Sequence, residues 1–239
     1  MNIIFLAAGK GSRLSKLNLK NKCLINIKKK TLIERLLKNT SDSKIKNIFL
    51  VTGHNHVNLK KKLNNHPEVN FIYNRYYQSR DMLYSLVLGL KQSNDDTIIS
   101  YTDILYKKNL ISRILKFDRK KIFIPVLTSW KKIWKIRKKI HKDDAEDIRI
   151  KKLNSQLLEI GGKADSKTIA QYMGIIFIPK SKKKFVINEA LKSKYKKTQI
   201  TQFLNYLCKK EKIVTLKTKS FWYEFDDIED FNGYNKNYN

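Results

Sequence analysis

Cysteine is scarce in this chain: Cys23 and Cys208 are the only two in 239 residues. They stand far apart and neither sits in a CxxC or comparable spacing. A disulfide framework and a cysteine zinc site are therefore not expected, and the cytoplasm is the expected compartment. Long apolar runs are missing too. The stretch from Ile3 to Ala8 is much too short to span a bilayer, and no basic segment precedes it, so neither a signal peptide nor membrane insertion is expected. Acidic residues are few, with 21 Asp and Glu against 51 Lys and Arg, for a formal net charge of +30. Such an excess raises nucleic acid or an anionic membrane as a partner. The lysines, however, are spread over nearly every segment instead of gathering on one helix, and Lys, Ile and Asn are abundant together. A solvated surface accounts for the charge, nucleic acid is not favoured, and the positive potential helps draw in phosphorylated ligands, although salt screens most of it. No internal repeat is present. What the chain does have is 41% hydrophobic and 11% aromatic residues, enough for one α/β domain that buries its core without disulfides.

Short apolar runs alternate with amphipathic segments through the first half, the pattern of a parallel sheet covered by helices on both faces. Strands are predicted at Asn2 to Leu6, Asn47 to Val51, Asn70 to Tyr73, Thr97 to Tyr101 and Ile122 to Val126, each rich in Ile, Val, Phe or Tyr. Thr31 and Glu34 form a T-x-x-E capping box that starts a helix ending near Asn39. Leu83, Leu86, Val87 and Leu90 recur at i, i+3, i+4 and i+7, predicting a helix over Asp81 to Gln92 with one buried stripe. Ile200, Phe203, Leu204 and Leu207 predict another behind a Thr198 cap, and Ile213 to Leu216 a returning strand. Residues 129–180 read as a lobe added to the sheet, and the Asn- and Tyr-rich residues 232–239 as a frayed tail.

The run Leu6, Ala7, Ala8, Gly9, Lys10, Gly11, Ser12, Arg13 puts a glycine-rich turn at the carboxyl end of the first strand, where open parallel sheets bind ligands. Glycines let the backbone approach phosphate oxygens, and Lys10 and Arg13 add cations for a triphosphate. A dinucleotide fingerprint needs a third glycine where Leu14 stands and an acidic residue ending the second strand, where Val51, Thr52, Gly53 and His54 stand instead. A Walker loop needs Gly-Lys-Ser or Gly-Lys-Thr after a four-residue gap, also absent. A different nucleotide-binding loop is required.

Leu6 to Leu14 resembles the LAAGxGSRL opening of the MobA-like and sugar-phosphate nucleotidyltransferase superfamily, and Asn21, Lys22, Cys23 and Leu24 resemble its PKCL. Later segments resemble the small CTP-dependent cytidylyltransferases of the phosphoglutamine or phosphocholine type: Ser100 to Tyr106, Trp130 to Arg137 followed by Asp144, Ala145 and Glu146, Gln171 to Gly174, and Trp222 to Asp226. The resemblance implies a Rossmann-like, doubly wound mixed sheet of the nucleotide-diphospho-sugar transferase type. One nucleotidyltransferase domain would cover residues 1–231, with 129–180 as the acceptor-side lobe.

The implied reaction transfers CMP from CTP to a small phosphorylated acceptor, with magnesium, releasing pyrophosphate. Glutamine phosphate, phosphocholine, a phosphonate and a sugar phosphate are the acceptors in descending order of preference. A surface polysaccharide pathway is the implied setting, and a homodimer is compatible with the sequence. Lys22 would face the α-phosphate, with Arg13 and Asp103 completing the catalytic set. Asp103, ending a strand, is one candidate metal ligand, and the resemblance makes Asp226 the second. Leu6 to Arg13, Gly53, Tyr101 and Thr102 are the expected nucleotide contacts. Asp81, Tyr84, Asp144, Glu146, Tyr172 and Trp222 are the expected acceptor contacts, with Trp130, Trp134 and Trp222 as an aromatic wall. His54 and His56 lack a third ligand and read as loop residues. Asn21 replaces the family proline, which would loosen the turn before Lys22. The competing readings are a sugar-1-phosphate or purine nucleotidyltransferase and a non-catalytic basic nucleic-acid-binding protein.

Overall fold

In the computed structural model, residues 1–11, 13, 21–41, 44–79, 82–137, 146–192 and 198–238 are described. The first strand, β1 (Asn2–Ala7), is buried along its whole length. Ile3, Phe5 and Ala7 face one helical layer while Ile4 and Leu6 face the other, the alternation that a strand imposes on successive side chains. After a small ladder, β2 (Asn26–Ile27) with β3 (Lys30–Thr31), comes helix α1 (Leu32–Asn39). Its capping box forms as predicted: the Thr31 amide donates to Glu34 Oε2 at 2.6 Å and the Glu34 amide to Thr31 Oγ1 at 3.4 Å.

The chain then alternates through β4 (Asn47–Thr52), α2 (His56–Lys62), β5 (Val69–Tyr73), α3 (Met82–Gln92) and β6 (Thr97–Tyr101). His56 opens α2 rather than lying in a loop, with Nδ1 2.6 Å from Thr52 Oγ1. Leu83, Leu86, Val87 and Leu90 are all buried on α3. Next come β7 (Ile104–Tyr106), α4 (Lys108–Lys116), β8 (Phe123–Leu127) and α5 (Trp130–Ile136). An antiparallel hairpin, β9 (Glu146–Ile150) with β10 (Leu157–Lys163), precedes β11 (Gln171–Tyr172), β12 (Ile175–Ile178) and α6 (Lys180–Lys192). Helix α7 (Ile200–Leu207), β13 (Val214–Thr218), β14 (Trp222–Glu224) and α8 (Ile228–Tyr238) complete the fold.

The main sheet runs β11-β8-β12-β6-β1-β4-β5, with β13 along the other side of β8. Strands β5, β4, β1 and β6 are mutually parallel, and β12 enters antiparallel beside β6. The sheet is therefore mixed, as expected. Because β4 lies on one side of β1 and β6 on the other, the strand order reverses there, and a crevice opens at their carboxyl ends. Helices α1, α4, α5 and α8 contribute to one core layer, and α3, α6 and α7 to the other.

Three expectations need correction. Of residues 129–180, β11 and β12 do not belong to an added lobe: they fill the gap between β6 and β8 in the main sheet. The frayed tail is instead helix α8, because Asp227 Oδ1 accepts from the amides of Glu229 and Asp230 at 3.0 and 3.1 Å and so starts a helix. Tyr234 and Tyr238 on that helix pack against Tyr223, and Tyr238 also meets Phe221. Finally, α7 begins after Gln199, not Thr198, with Gln202 Oε1 accepting from the Gln199 amide at 3.1 Å.

Candidate active site

At the end of β1 the chain leaves the sheet through Ala8, Gly9, Lys10 and Gly11. Gly11 has φ +64, the left-handed region that glycine tolerates. A Cβ there would lie 2.9 Å from Lys22 Cγ, so the glycine lets the loop lie directly over the lysine stem. Lys22 itself opens a single turn of 3-10 helix, Lys22–Leu24. The buried Asn21 caps that turn, accepting from the Cys23 amide at 3.1 Å and donating through Nδ2 to Ala7 O at 3.0 Å. Asn21 therefore ties the lysine turn to the end of β1; the expected loosening does not occur, because two directed hydrogen bonds replace the rigidity of a proline ring.

The Lys22 ammonium donates to Asp103 Oδ2 at 3.1 Å and to Asp226 Oδ1 at 2.6 Å. Arg13 approaches the same Asp226 oxygen at 3.2 Å. Asp103 follows β6 and precedes β7, whereas Asp226 follows β14, far along the chain. What joins them is the antiparallel pairing of β14 with β7, with Trp222 opposite Tyr106 and Glu224 opposite Ile104, extended by the Phe225 amide donating to Asp103 O at 2.8 Å. Burial works against the charge on Lys22, but Asp103 and Asp226 outweigh it and raise the ammonium above the ordinary lysine value. Burial would likewise lift Asp226; Lys22, Arg13 and Arg137 instead hold it down to about 2. Both carboxylates suit a hard divalent cation, which takes oxygen ligands and retains water. The buried Oδ1 of Asp103 has no hydrogen-bond partner among the described residues, a donor that such an ion could use. The described residues contain no group of three or more His, Cys, Asp or Glu side chains arranged for a metal, so remaining ligands would come from phosphate and water.

Behind Asp226 lies a buried ionic cluster. Arg137 is fully buried, with Nε 2.8 Å from Asp230 Oδ1 and a terminal nitrogen 3.1 Å from Asp230 Oδ2. Its other terminal nitrogen donates to Glu224 Oε2 at 2.9 Å, and the guanidinium lies 3.5 Å from Asp226 Oδ2 and over the Trp134 ring. Asp230 Oδ2 also accepts from the Asp226 amide at 2.7 Å.

Arg13, Lys22, Asp103 and Asp226 line a cleft of about 640 Å³ at the carboxyl end of the sheet. Of the residues expected to bind nucleotide, Leu6, Ala7, Gly9, Gly11, Arg13, Tyr101 and Thr102 line it. Thr102 Oγ1 donates to Leu6 O at 2.9 Å, fastening β6 to β1 beneath the cleft. Ala8 and Gly53 do not line it: Ala8 is buried with its carbonyl accepting from His54, and a Cβ on Gly53 would collide with Tyr77 and lie 2.9 Å from Ala8 O. Gly53 thus serves the close approach of two chain segments and not a base pocket. Lys10 is exposed at the loop tip, outside the cleft lining. Ser12, Asp81, Asp144 and the Glu146 side chain lie outside the described residues.

Of the residues expected to contact the acceptor, Tyr172 lines the cleft, its ring edge-on to Tyr101. Tyr84 does not, its ring meeting Tyr76 edge-on; Met82, at the start of α3, does. Trp222 is not part of a wall either. It is 1% exposed, stacks on Trp134 and donates Nε1 to Met173 O at 2.9 Å. Trp130 is buried against Trp134, so of the three tryptophans only Trp134 reaches the cleft. Sequence reasoning missed Asn21, Gln171, Gln199, Thr201 and Glu224 as cleft residues. Gln171 and Glu224 stood inside segments already singled out, but the first turn of α7 carried no signal beyond its apolar period.

Likeness to known proteins gives the family and the fold. A family model for the MobA-like NTP transferase domain matches residues 3–136. The chain is 32% identical over 184 residues to a CTP:phosphoglutamine cytidylyltransferase of Campylobacter jejuni subsp. jejuni serotype O:2, covering 73% of this chain and 72% of that one. Among solved structures, an inositol-1-phosphate CTP transferase from T. maritima superposes with a TM-score of 0.76 at 16% identity, covering 96% and 90% of the two chains. A CTP:phosphocholine cytidylyltransferase from Streptococcus pneumoniae gives 0.72 at 15%, covering 98% and 97%. At such identities the structural matches speak for the fold.

Proposed function

The chain belongs to the MobA-like NTP transferase family and is a nucleotidyltransferase; from that premise we propose that it transfers CMP from CTP to a small phosphorylated acceptor and releases pyrophosphate. The observation that carries this reading is the meeting of Lys22, Arg13, Asp103 and Asp226 beside a glycine loop, at the point where the strand order reverses. A triphosphate laid over Gly9 and Gly11 finds backbone amides and two cations. Lys22 and Arg13 then oppose the charge that builds on the α-phosphate as the acceptor's phosphate oxygen attacks in line and pyrophosphate leaves. No covalent intermediate on the protein is needed. Asp103 and Asp226 would hold magnesium, which when bound neutralises phosphate charge.

CTP is favoured over other nucleotides by the likeness to the phosphoglutamine enzyme. For the acceptor, glutamine phosphate comes first and phosphocholine second, ahead of a phosphonate or a sugar phosphate. In support, the cleft lining also includes Trp134, Gln171, Tyr172 and Glu224, the last already bonded to Arg137, a set of aromatic faces and polar groups suited to an acceptor that bears an ammonium group as well as a phosphate. The test is pyrophosphate release from each nucleoside triphosphate against a panel of phosphorylated acceptors, with and without divalent cation. Turnover with CTP and glutamine phosphate or phosphocholine is expected. Tight RNA binding with no turnover on any pair would instead favour the nucleic-acid reading.

A further inference from the structure

Every oxygen of Asp226 already faces a cation. Oδ1 receives Lys22 at 2.6 Å and Arg13 at 3.2 Å, and Oδ2 faces Arg137 at 3.5 Å. The nearer oxygen of Asp103, Oδ2, is bonded to the same Lys22 ammonium at 3.1 Å. A divalent ion shared by the two carboxylates needs oxygens at about 2.0–2.1 Å, and the ammonium stands between two of the four available. For Asp226 to become a metal ligand, one cation must therefore withdraw. Arg137 cannot: it is fully buried and fixed by two bonds to Asp230 and one to Glu224. Arg13 is exposed, its contact is longer, and it touches only Asp226 among the two carboxylates. Lys22 is the group that bridges both, on an unbranched stem that passes under Gly11, within a short swing of phosphates cradled by the loop.

We propose that the Lys22 ammonium is the resident counter-ion of the Asp103 and Asp226 pair, and that a divalent cation is admitted only as this ammonium leaves for the triphosphate. The inference rests on the metal-using nucleotidyltransferase reading and adds a binding order to it. Nucleotide-free protein holds the metal weakly, because the metal must displace a charge-assisted double hydrogen bond with nothing to receive the lysine. A triphosphate supplies the receiver, so metal and nucleotide strengthen each other's binding through Lys22.

The test titrates nucleotide-free protein with Mn²⁺ and follows the free-ion signal by electron paramagnetic resonance, which reads binding without turnover. Lys22→Met and Lys22→Gln keep stem length and remove the charge; two variants guard against one failing to fold, as judged by thermal melting. Both are expected to bind Mn²⁺ at least about tenfold more tightly than wild type, within the range of ordinary site coupling. Adding Asp103→Asn to either should abolish the gain. Equal affinity in wild type and both variants overturns the proposal, as does a gain that survives Asp103→Asn. Pyrophosphate release by wild type with CTP is scored separately. Turnover without the Mn²⁺ gain sinks this inference alone, and the gain without turnover on any nucleotide sinks the functional reading alone.

Discussion

Arg137 offers the sharpest test of how the site is held together. Its guanidinium makes two bonds to the fully buried Asp230 and one to Glu224, and it is itself fully buried. Replacing it by Met roughly preserves bulk over Trp134 but removes the cation that faces the Asp230 carboxylate in the interior. Removing one partner of a buried pair costs about 3–5 kcal/mol, because the other charge remains there uncompensated. In a domain of this size each kcal/mol moves the melting midpoint by about 2–4 °C, so Arg137→Met should melt roughly 6–20 °C below wild type. Asp230→Asn supplies the control. Asparagine keeps an oxygen for the Asp226 amide, now 2.7 Å from Asp230 Oδ2, and removes the carboxylate's charge. The double variant should accordingly recover about 2 kcal/mol relative to Arg137→Met, a coupling within the range seen for contacting residues. Urea unfolding of wild type, both single variants and the double variant closes the cycle. Arg137→Met within about 1 kcal/mol of wild type, or a double variant as unstable as the sum of the singles, would refute the argument, which rests on the cost of an unpaired buried charge.

Lys22→Ala should lower turnover by roughly 10² to 10³ fold, the loss expected when a pre-positioned transition-state cation is removed; a full rate of pyrophosphate release would end the catalytic assignment. Gly53→Ala should destabilise by about 1–3 kcal/mol, since its methyl collides with Tyr77 and crowds Ala8 O; chemical denaturation measures it, and a neutral result would show that the loop yields easily. Asp226 is held at about 2 against an ordinary 3.8. A depressed folded-state value stabilises the fold above the ordinary one and is lost as pH falls through the depressed one. Ionised Asp226 should thus contribute roughly 2 kcal/mol above about pH 4. The urea midpoint difference between wild type and Asp226→Asn should be flat above that pH and shrink toward pH 2. A difference that instead grew on acidification would reverse the sign of the argument.

Much of the nucleotide half was legible because its signals are local. The first strand and the turn after it are contiguous, so apolar run and glycine spacing could be read together, and α1 announced itself through Thr31 and Glu34. Strand ends came within a residue because Ile, Val and Phe runs stop where the chain must turn. The part of the sheet beyond β6, made by β12, β8 and β11, was harder. Gln171 and Tyr172 are only a two-residue strand, separated from β12 by Met173 and Gly174, too short for any period to register, so an element of the sheet read as part of a lobe. Helix α8 failed for another reason: its Asn- and Tyr-rich composition has weak helical propensity, and what makes it a helix is the Asp227 cap and aromatic packing on Phe221, Tyr223 and Phe225. Trp222 misled because an aromatic side chain near a site suits a wall and a core equally, and only the stacking on Trp134 decides.

The part of the cleft proposed for the acceptor is assembled differently, and this bears on how specificity changes. Trp134, Gln171, Gln199 and Glu224 come from α5, β11, the start of α7 and β14, so no local stretch encodes that surface. Most of these positions can vary without touching Lys22 or Asp103. Glu224 cannot, because it sits two residues before Asp226 and shares Arg137 with it. A substitution that neutralises Glu224 frees part of the guanidinium's charge, and among the described residues Asp226 Oδ2, 3.5 Å away, is the carboxylate oxygen next to Asp230's placed to absorb it. Tighter pairing there would draw Asp226 away from any ion shared with Asp103. A new acceptor preference reached through Glu224 would then come with a weakened reaction centre, whereas one reached through Gln171 or Gln199 would not.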